Sequence, residues 1–277
     1  MKSVTLPCGE TVPALGQGTW HMGEDANLRA REIDTLRHGI DLGLTLVDTA
    51  EMYGDGAAEE MVGEALQGRR DRVFLVSKVY PHNASRRKMQ AACDASLKRL
   101  RVDTIDLYLL HWPGSVPLAE TVASFEDLQR TGKIRHWGVS NLDLGEMESL
   151  RSVPGGAGAQ VNQLLYNLGR RGIEWDLLPW LRAQGIPVMA YSPIEQGRLL
   201  RQPALLALAK RLGATPAQVA IAWLLAQDDV IAIPKTASRQ RLEENARALS
   251  LSLSPADLRE LDAMFPPPSG PAPLEML

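Results

Sequence analysis

Asp48, Tyr53, Lys78 and His111 are side chains whose types belong together in one reaction. Each stands at or just past the end of a short apolar run. LTLVD closes on Asp48 with Tyr53 in the segment that follows, VFLVS runs into Lys78, and IDLYLL runs into His111. A phenol with a pKa of about 10 is a poor proton donor at neutral pH, but a lysine ammonium beside it favours the phenolate and lowers that value. A carboxylate next to the lysine keeps the ammonium charged and oriented in a partly dry site. An imidazole adds a second donor toward an oxygen on which negative charge develops. These groups suit reduction of C=O, in which carbon receives hydride while oxygen takes a proton. No side chain supplies hydride, so the chemistry requires a redox cofactor.

Taken singly, the same residues have ordinary structural readings: Asp48 as a turn cap, Tyr53 as a half-buried surface aromatic, Lys78 as a solvated strand end, His111 as a satisfied core histidine. Packing gives no reason for all of them to sit at the ends of consecutive apolar runs, and as a set they read as a site. Two other functions share these residues. One is a cofactor-binding regulator acting through a protein partner; the other is an enzyme using Lys78 as a Schiff-base nucleophile.

The elements that must position such a site follow a regular punctuation. Ile33, Leu36 and Ile40 share a helical face before Gly43 and LTLVD, and Met61, Val62, Ala65 and Leu66 precede Gly68 and VFLVSK. Val122, Phe125 and Leu128 lead in the same way to Gly132 and KIRHWGVS, and Leu177, Trp180 and Leu181 to Gly185 and IPVMAYS. Glycine suits the left-handed residue just past a helix end. Helices alternating with apolar runs predict parallel strands at 15–19, 44–48, 73–77, 105–110, 134–139, 159–162, 187–191 and 230–233. That number of units, with no Gly-rich dinucleotide fingerprint after the first strand, predicts a single α/β domain over 1–277. The fold is a (β/α)8 TIM barrel, preceded by a short N-terminal β-hairpin turning at Cys8-Gly9-Glu10. In such a barrel the C-terminal strand ends converge on one face, where sites are built.

Composition excludes several partners. The 277 residues are 45% hydrophobic and carry a net charge of −3, with no basic stripe for nucleic acid. Cys8 and Cys93 are too few for a disulfide framework and lack zinc-motif spacing, so no metal is expected and a reducing cytoplasm fits. No uninterrupted apolar run reaches the length of a membrane span, and the N-terminus has no signal-like apolar core.

Asp48 and Tyr53 after the second strand, Lys78 after the third and His111 after the fourth resemble the motif of the aldo-keto reductases. Further segments match in barrel order: GQGTW at 16–20, GVSN at 138–141, VNQ at 161–163, AYSP at 190–193 and IPKTASRQRLEEN at 233–245. The resemblance covers nearly the whole chain. It implies an NADPH cofactor extended across the barrel mouth without a Rossmann domain, reducing small aldehydes, 2-oxoaldehydes such as methylglyoxal among them, and some ketones. It also implies that Ser140, Asn141 and Gln163 hold the nicotinamide carboxamide, that Tyr191 stacks on its ring, and that Gly18, Thr19 and Trp20 line its far side. The loop with Ser192 and Gly197 passes the pyrophosphate, and Lys235, Thr236, Arg241, Glu244 and Asn245 surround the adenosine end. Trp20, Tyr80, His82 and Trp112 are the proposed substrate walls. Leu44-Thr45, where many members carry a bulky aromatic and an arginine, places the chain in a bacterial-looking branch. Only PPPSGPAPLEML follows the last helical pattern, so the long C-terminal loop of larger members is largely absent.

Overall fold

The computed structural model describes residues 2–277. A hairpin of β1 (Ser3–Thr5) and β2 (Thr11–Pro13) precedes eight strands: β3 (Gln17–Gly18), β4 (Leu46–Asp48), β5 (Phe74–Val79), β6 (Ile105–Leu110), β7 (Ile134–Ser140), β8 (Asn162–Leu165), β9 (Val188–Tyr191) and β10 (Val230–Ala232). They are hydrogen-bonded in sequence order and every pairing is parallel. Parallel bridges from Leu15 to Ala232 and from Gly18 to Lys235 close the sheet on itself. At this seam the Gly16 N–H donates to Ala232 O at 2.9 Å and the Gly18 N–H to Pro234 O at 3.1 Å. A Cβ on Gly18 would lie 2.8 Å from Ile233 O, so the closure needs a glycine. The fold is the expected (β/α)8 barrel with its N-terminal hairpin.

The strands are apolar runs because both of their faces are covered, the inner by the barrel interior and the outer by helices. β5 and β6 are buried at every position. Local sequence also fixes where the helices begin. Capping boxes pair Asp143 with Glu146 before helix Leu144–Ser152, Thr215 with Gln218 before Pro216–Ala226, and Ser254 with Asp257 before Pro255–Met264. Past the helix ends, Gly43, Gly132 and Gly185 adopt φ of 93°, 74° and 68°. Two helices lie outside the eightfold repeat, Pro203–Arg211 and Pro255–Met264. Arg211 joins them through Asp257 at 2.9 Å and Glu260 at 2.6 Å.

Most strand boundaries differ from the sequence expectation by a residue or more, and those of β8 and β5 bear on the site. β8 begins at Asn162 and not at 159, because the turn Gly156–Gly158 delays entry and Asn162 is the residue that pairs with Val139 of β7. β5 runs on to Val79, since its pairing with β6 continues through Lys78 and Val79. Lys78 and Gln163 therefore lie within strands, Lys78 paired with Leu109 of β6 and Gln163 held by ladders on both sides. No helix of the described residues is long and apolar enough to cross a membrane.

Candidate active site

β4 ends on Asp48, β5 presents Lys78, and the first residue after β6 is His111, so three adjacent strands deliver these side chains to one end of the barrel. Tyr53 arrives from the 3-10 turn Tyr53–Gly56, its N–H donating to Ala50 O at 3.1 Å. Lys78 is wholly buried, and its Nζ donates to Asp48 Oδ2 at 2.8 Å, to Thr49 O at 2.9 Å and to the Tyr53 hydroxyl oxygen at 2.9 Å. An ammonium has three protons, and all are used. No lone pair is left for attack on a carbonyl, which removes the Schiff-base reading. Because Tyr53 oxygen accepts from Lys78, the phenol's own proton is free for another acceptor. The other oxygen of Asp48 accepts from Gln163 Nε2 at 2.8 Å.

The electrostatics correct one expectation. Burial raises the Tyr53 pKa by more than the Lys78 charge lowers it, so the net direction is upward. The phenol is protonated at neutral pH, as an acid must be. Burial disfavours the charge on Lys78, but Asp48 and then Tyr53 outweigh that cost and raise its pKa. His111 is pushed down to about 2, first by burial and then by the Lys78 charge, so its imidazole is neutral. Its ring meets that of Tyr53 edge to face, centroids 5.8 Å apart.

Asp48, Tyr53 and His111 border a cavity of about 1170 Å³ at the barrel mouth. Every residue that the resemblance assigned to the cofactor also borders it: Gly18, Thr19, Trp20, Ser140, Asn141, Gln163, Tyr191, Ser192, Gly197, Lys235, Thr236, Arg241, Glu244 and Asn245. Several are already tied together. Asn141 Nδ2 donates to His111 O at 3.1 Å, Asn141 Oδ1 accepts from the Tyr191 hydroxyl at 3.0 Å, and Ser140 Oγ donates to Gln163 O at 2.9 Å. Asn141 and Ser192 hold φ of 58° and 48°, uncommon for side-chain-bearing residues and concentrated here on the cavity wall.

The wall also suits a polyanionic dinucleotide. Arg31, Arg201, Lys235 and Arg241 border the cavity without an ion-pair partner among the described residues, whereas the nearby Arg198 and Arg239 are paired with Glu195 and Asp34. Unpaired cations on a concave wall are what phosphate groups require.

A model described as the aldo/keto reductase family matches residues 14–265. The chain belongs to the aldo/keto reductase family. It is 53% identical over 272 residues to the methylglyoxal reductase YeaE of Escherichia coli, covering 96% of each chain. Over 279 residues it is 33% identical to the glyoxal reductase of Bacillus subtilis, covering 99% of this chain and 97% of that one. An aldo/keto reductase from Klebsiella pneumoniae, crystallised with NADP and acetate, superposes with a TM-score of 0.98 at 49% identity over 100% of this chain and 99% of its own. As a member of this family the chain is a nicotinamide-dependent oxidoreductase of the alcohol/carbonyl couple.

Among the proposed substrate walls of this aldo/keto reductase, Trp20 and Trp112 border the cavity, but Tyr80 and His82 do not. The Tyr80 N–H is held by Glu51 Oε1 at 2.7 Å, and the turn Pro81–Asn83 stacks His82 on Tyr80 at 4.8 Å. Tyr80 reaches the site only through its edge contact with Trp112, centroids 5.7 Å apart. Residues that sequence reasoning missed take their place: Met52, beside Tyr53 in the chain, and Met276 and Leu277 from the C-terminal tail. The tail is short yet reaches the mouth. Glu275 pairs with Arg170, which also holds Glu195 at 3.0 Å, and Leu277 borders the cavity together with Tyr191. No local signal in the sequence marks these tail residues, because only the closed barrel brings them over the site.

Proposed function

We propose that this aldo/keto reductase uses NADPH to reduce small aldehydes, 2-oxoaldehydes such as methylglyoxal among them, and ketones more weakly, with Tyr53 as the proton donor. The cofactor supplies hydride when bound. Ser140, Asn141 and Gln163 orient its carboxamide, Tyr191 offers a flat face to its ring, and Lys235, Thr236 and Arg241 take the phosphate that distinguishes NADPH from NADH. His111, neutral and beside Tyr53, donates a hydrogen bond to the carbonyl oxygen and turns the carbon toward the hydride face. As charge builds on that oxygen, the Tyr53 proton passes to it. The incipient phenolate is then stabilised by the Lys78 ammonium at 2.9 Å, whose own charge Asp48 balances.

The observation that carries this reading is the saturation of Lys78 Nζ, which makes Tyr53 an acceptor from lysine and leaves its proton for substrate. The small apolar wall of Trp20, Met52 and Trp112 favours compact substrates. No observation favours the regulatory reading, and the relatives above are named as reductases. We read the chain as one catalytic unit of the cytoplasm without a nucleic-acid partner, in keeping with its net charge of −3 and its two free cysteines. The test is a panel of aldehydes, 2-oxoaldehydes and ketones scored by NADPH consumption. Turnover at background for the whole panel, with NADPH bound tightly, would sink the proposal and return the regulator.

A further inference from the structure

Away from the mouth, where the N-terminal hairpin meets the start of β7, Cys8, Glu10 and His136 bring a thiol, a carboxylate and an imidazole together with their ligand atoms all within 4.8 Å of one another. We infer that these three residues form a zinc site that fastens the hairpin turn to β7.

Two of the three edges are close to those of a coordination sphere. Cys8 Sγ lies 3.7 Å from His136 Nε2, and the S···N edge of a tetrahedral zinc site with ordinary bond lengths is roughly 3.5 Å. His136 Nε2 lies 2.9 Å from Glu10 Oε2, so an ion entering between them needs only a few tenths of an ångström of opening, about 0.4 Å by the same geometry. An ion pair between Glu10 and His136 accounts for two of the residues but not for the third. The Cys8 backbone is fixed by its N–H donating to the Oε1 of Gln160 at 2.8 Å, and Gln160 is itself buried. Gly9 at φ 88° lets the turn place Cys8 and Glu10 on the same ring nitrogen.

A second layer of contacts orients the ligands. Arg135 donates to Glu10 Oε2 at 2.8 Å and to Asp106 Oδ1 at 2.8 Å, so the cation nearest the site is shared with a buried carboxylate. Such outer partners fix a ligating carboxylate and tune the ion it holds. Thiolate, imidazole and carboxylate together select a borderline ion over Mg²⁺ or Ca²⁺, which take all-oxygen sets. Thiolate and carboxylate balance the charge of Zn²⁺; as the Zn–S bond forms, the Cys8 proton passes to buffer, and water fills the fourth position on the exposed side.

The experiment exploits the other cysteine. Cys93 is fully buried, so a thiol reagent applied to the folded enzyme reads Cys8. With equimolar Zn²⁺ in a non-chelating buffer, we expect one equivalent bound by calorimetry, Cys8 labelling slowed by about tenfold or more, and a raised Tm, with none of these under Mg²⁺. Cys8→Ser and His136→Gln should each weaken zinc by about tenfold or more, while carbonyl reduction in zinc-free buffer is unchanged. Absence of zinc-dependent protection overturns the assignment. So does protection of undiminished affinity in His136→Gln, which would mean a thiol binding zinc alone.

Discussion

Lys78 Nζ donates to the Tyr53 hydroxyl oxygen at 2.9 Å while standing 4.6 Å from the centroid of the same ring. One ammonium therefore touches both the oxygen and the π face of the proton donor, and it does so from a position closed to water. Replacing Tyr53 by Phe keeps the ring and removes the hydroxyl, both its proton and the oxygen that accepts from Lys78. Tyr53→Phe should lower kcat by roughly 10²- to 10⁴-fold, the range of general acid catalysis, with the Kd for NADPH little changed. Near-normal turnover of methylglyoxal by that variant would show that another group delivers the proton.

Lys78 and Asp48 are both buried, and each is the other's compensation. Lys78→Met should cost about 3–5 kcal/mol of stability, because the Asp48 carboxylate is left buried with only Gln163 as a side-chain partner. Adding Asp48→Asn should recover most of that loss without recovering turnover. Urea unfolding of the two variants checks the first half and steady-state kinetics the second; a double variant no more stable than Lys78→Met would mean that the charge on Asp48 is not the source of the cost.

The buried imidazole of His111 makes a pH prediction. Its folded pKa of about 2 lies below the ordinary value of 6.5 that the unfolded chain retains. Between those values the unfolded state binds a proton that the folded state does not, so stability is intact above about pH 6.5 and is lost as pH falls, at up to about 1.4 kcal/mol per pH unit. His111→Gln removes this contribution. The Tm of the variant should fall less steeply than that of the parent from about pH 6.5 to about pH 4, and parallel slopes would contradict the assignment. In kinetics the same variant should show a milder loss than Tyr53→Phe, expressed mainly in kcat/KM.

Arg241 has no ion-pair partner among the described residues and borders the cavity beside Lys235 and Thr236. An arginine on a phosphate is worth about 1.5–3 kcal/mol, or roughly ten- to a hundredfold in affinity. Arg241→Ala should raise the Kd for NADPH by about that factor and leave NADH nearly unaffected. Titration of both cofactors by quenching of tryptophan fluorescence decides it, since equal weakening would assign Arg241 to the adenine or to the fold.

Much of the site could be read from the sequence because strands place polar residues where an apolar run stops. Asp48 and His111 stand out for that reason, and glycines such as Gly43, Gly132 and Gly185 past helix ends mark where the next strand begins. Lys78 and Gln163 lie inside strands, where the ladder decides the boundary and composition does not. Tyr80 and His82 have the right types in the right loop, yet that loop is tied to Glu51 by hydrogen bonds from Tyr80 N–H and Asn83 Nδ2 and does not border the cavity. Arg31, Met276 and Leu277 reach the cavity through contacts that only the completed barrel creates. The pull of burial on Tyr53 was equally invisible, since desolvation depends on everything packed around the ring. Cys8 and His136 escaped for a related reason: zinc motifs are sought as short spacings, and these ligands are brought together across 128 residues.

The seam between β3 and β10 sets the order in which the protein can become active. Gly18 and Lys235 face each other across it, and both border the cavity where the dinucleotide is proposed to lie. During synthesis the first half of that wall leaves the ribosome more than two hundred residues before the second, so the nascent chain carries Tyr53 and Lys78 long before it has a place for cofactor. Contacts of such long sequence separation form late, after their loop-closure entropy has been met by other packing. NADPH captured across the seam would then act as a bolt on the last step of assembly, and refolding followed by cofactor fluorescence should report the closing of the barrel and not the formation of its strands.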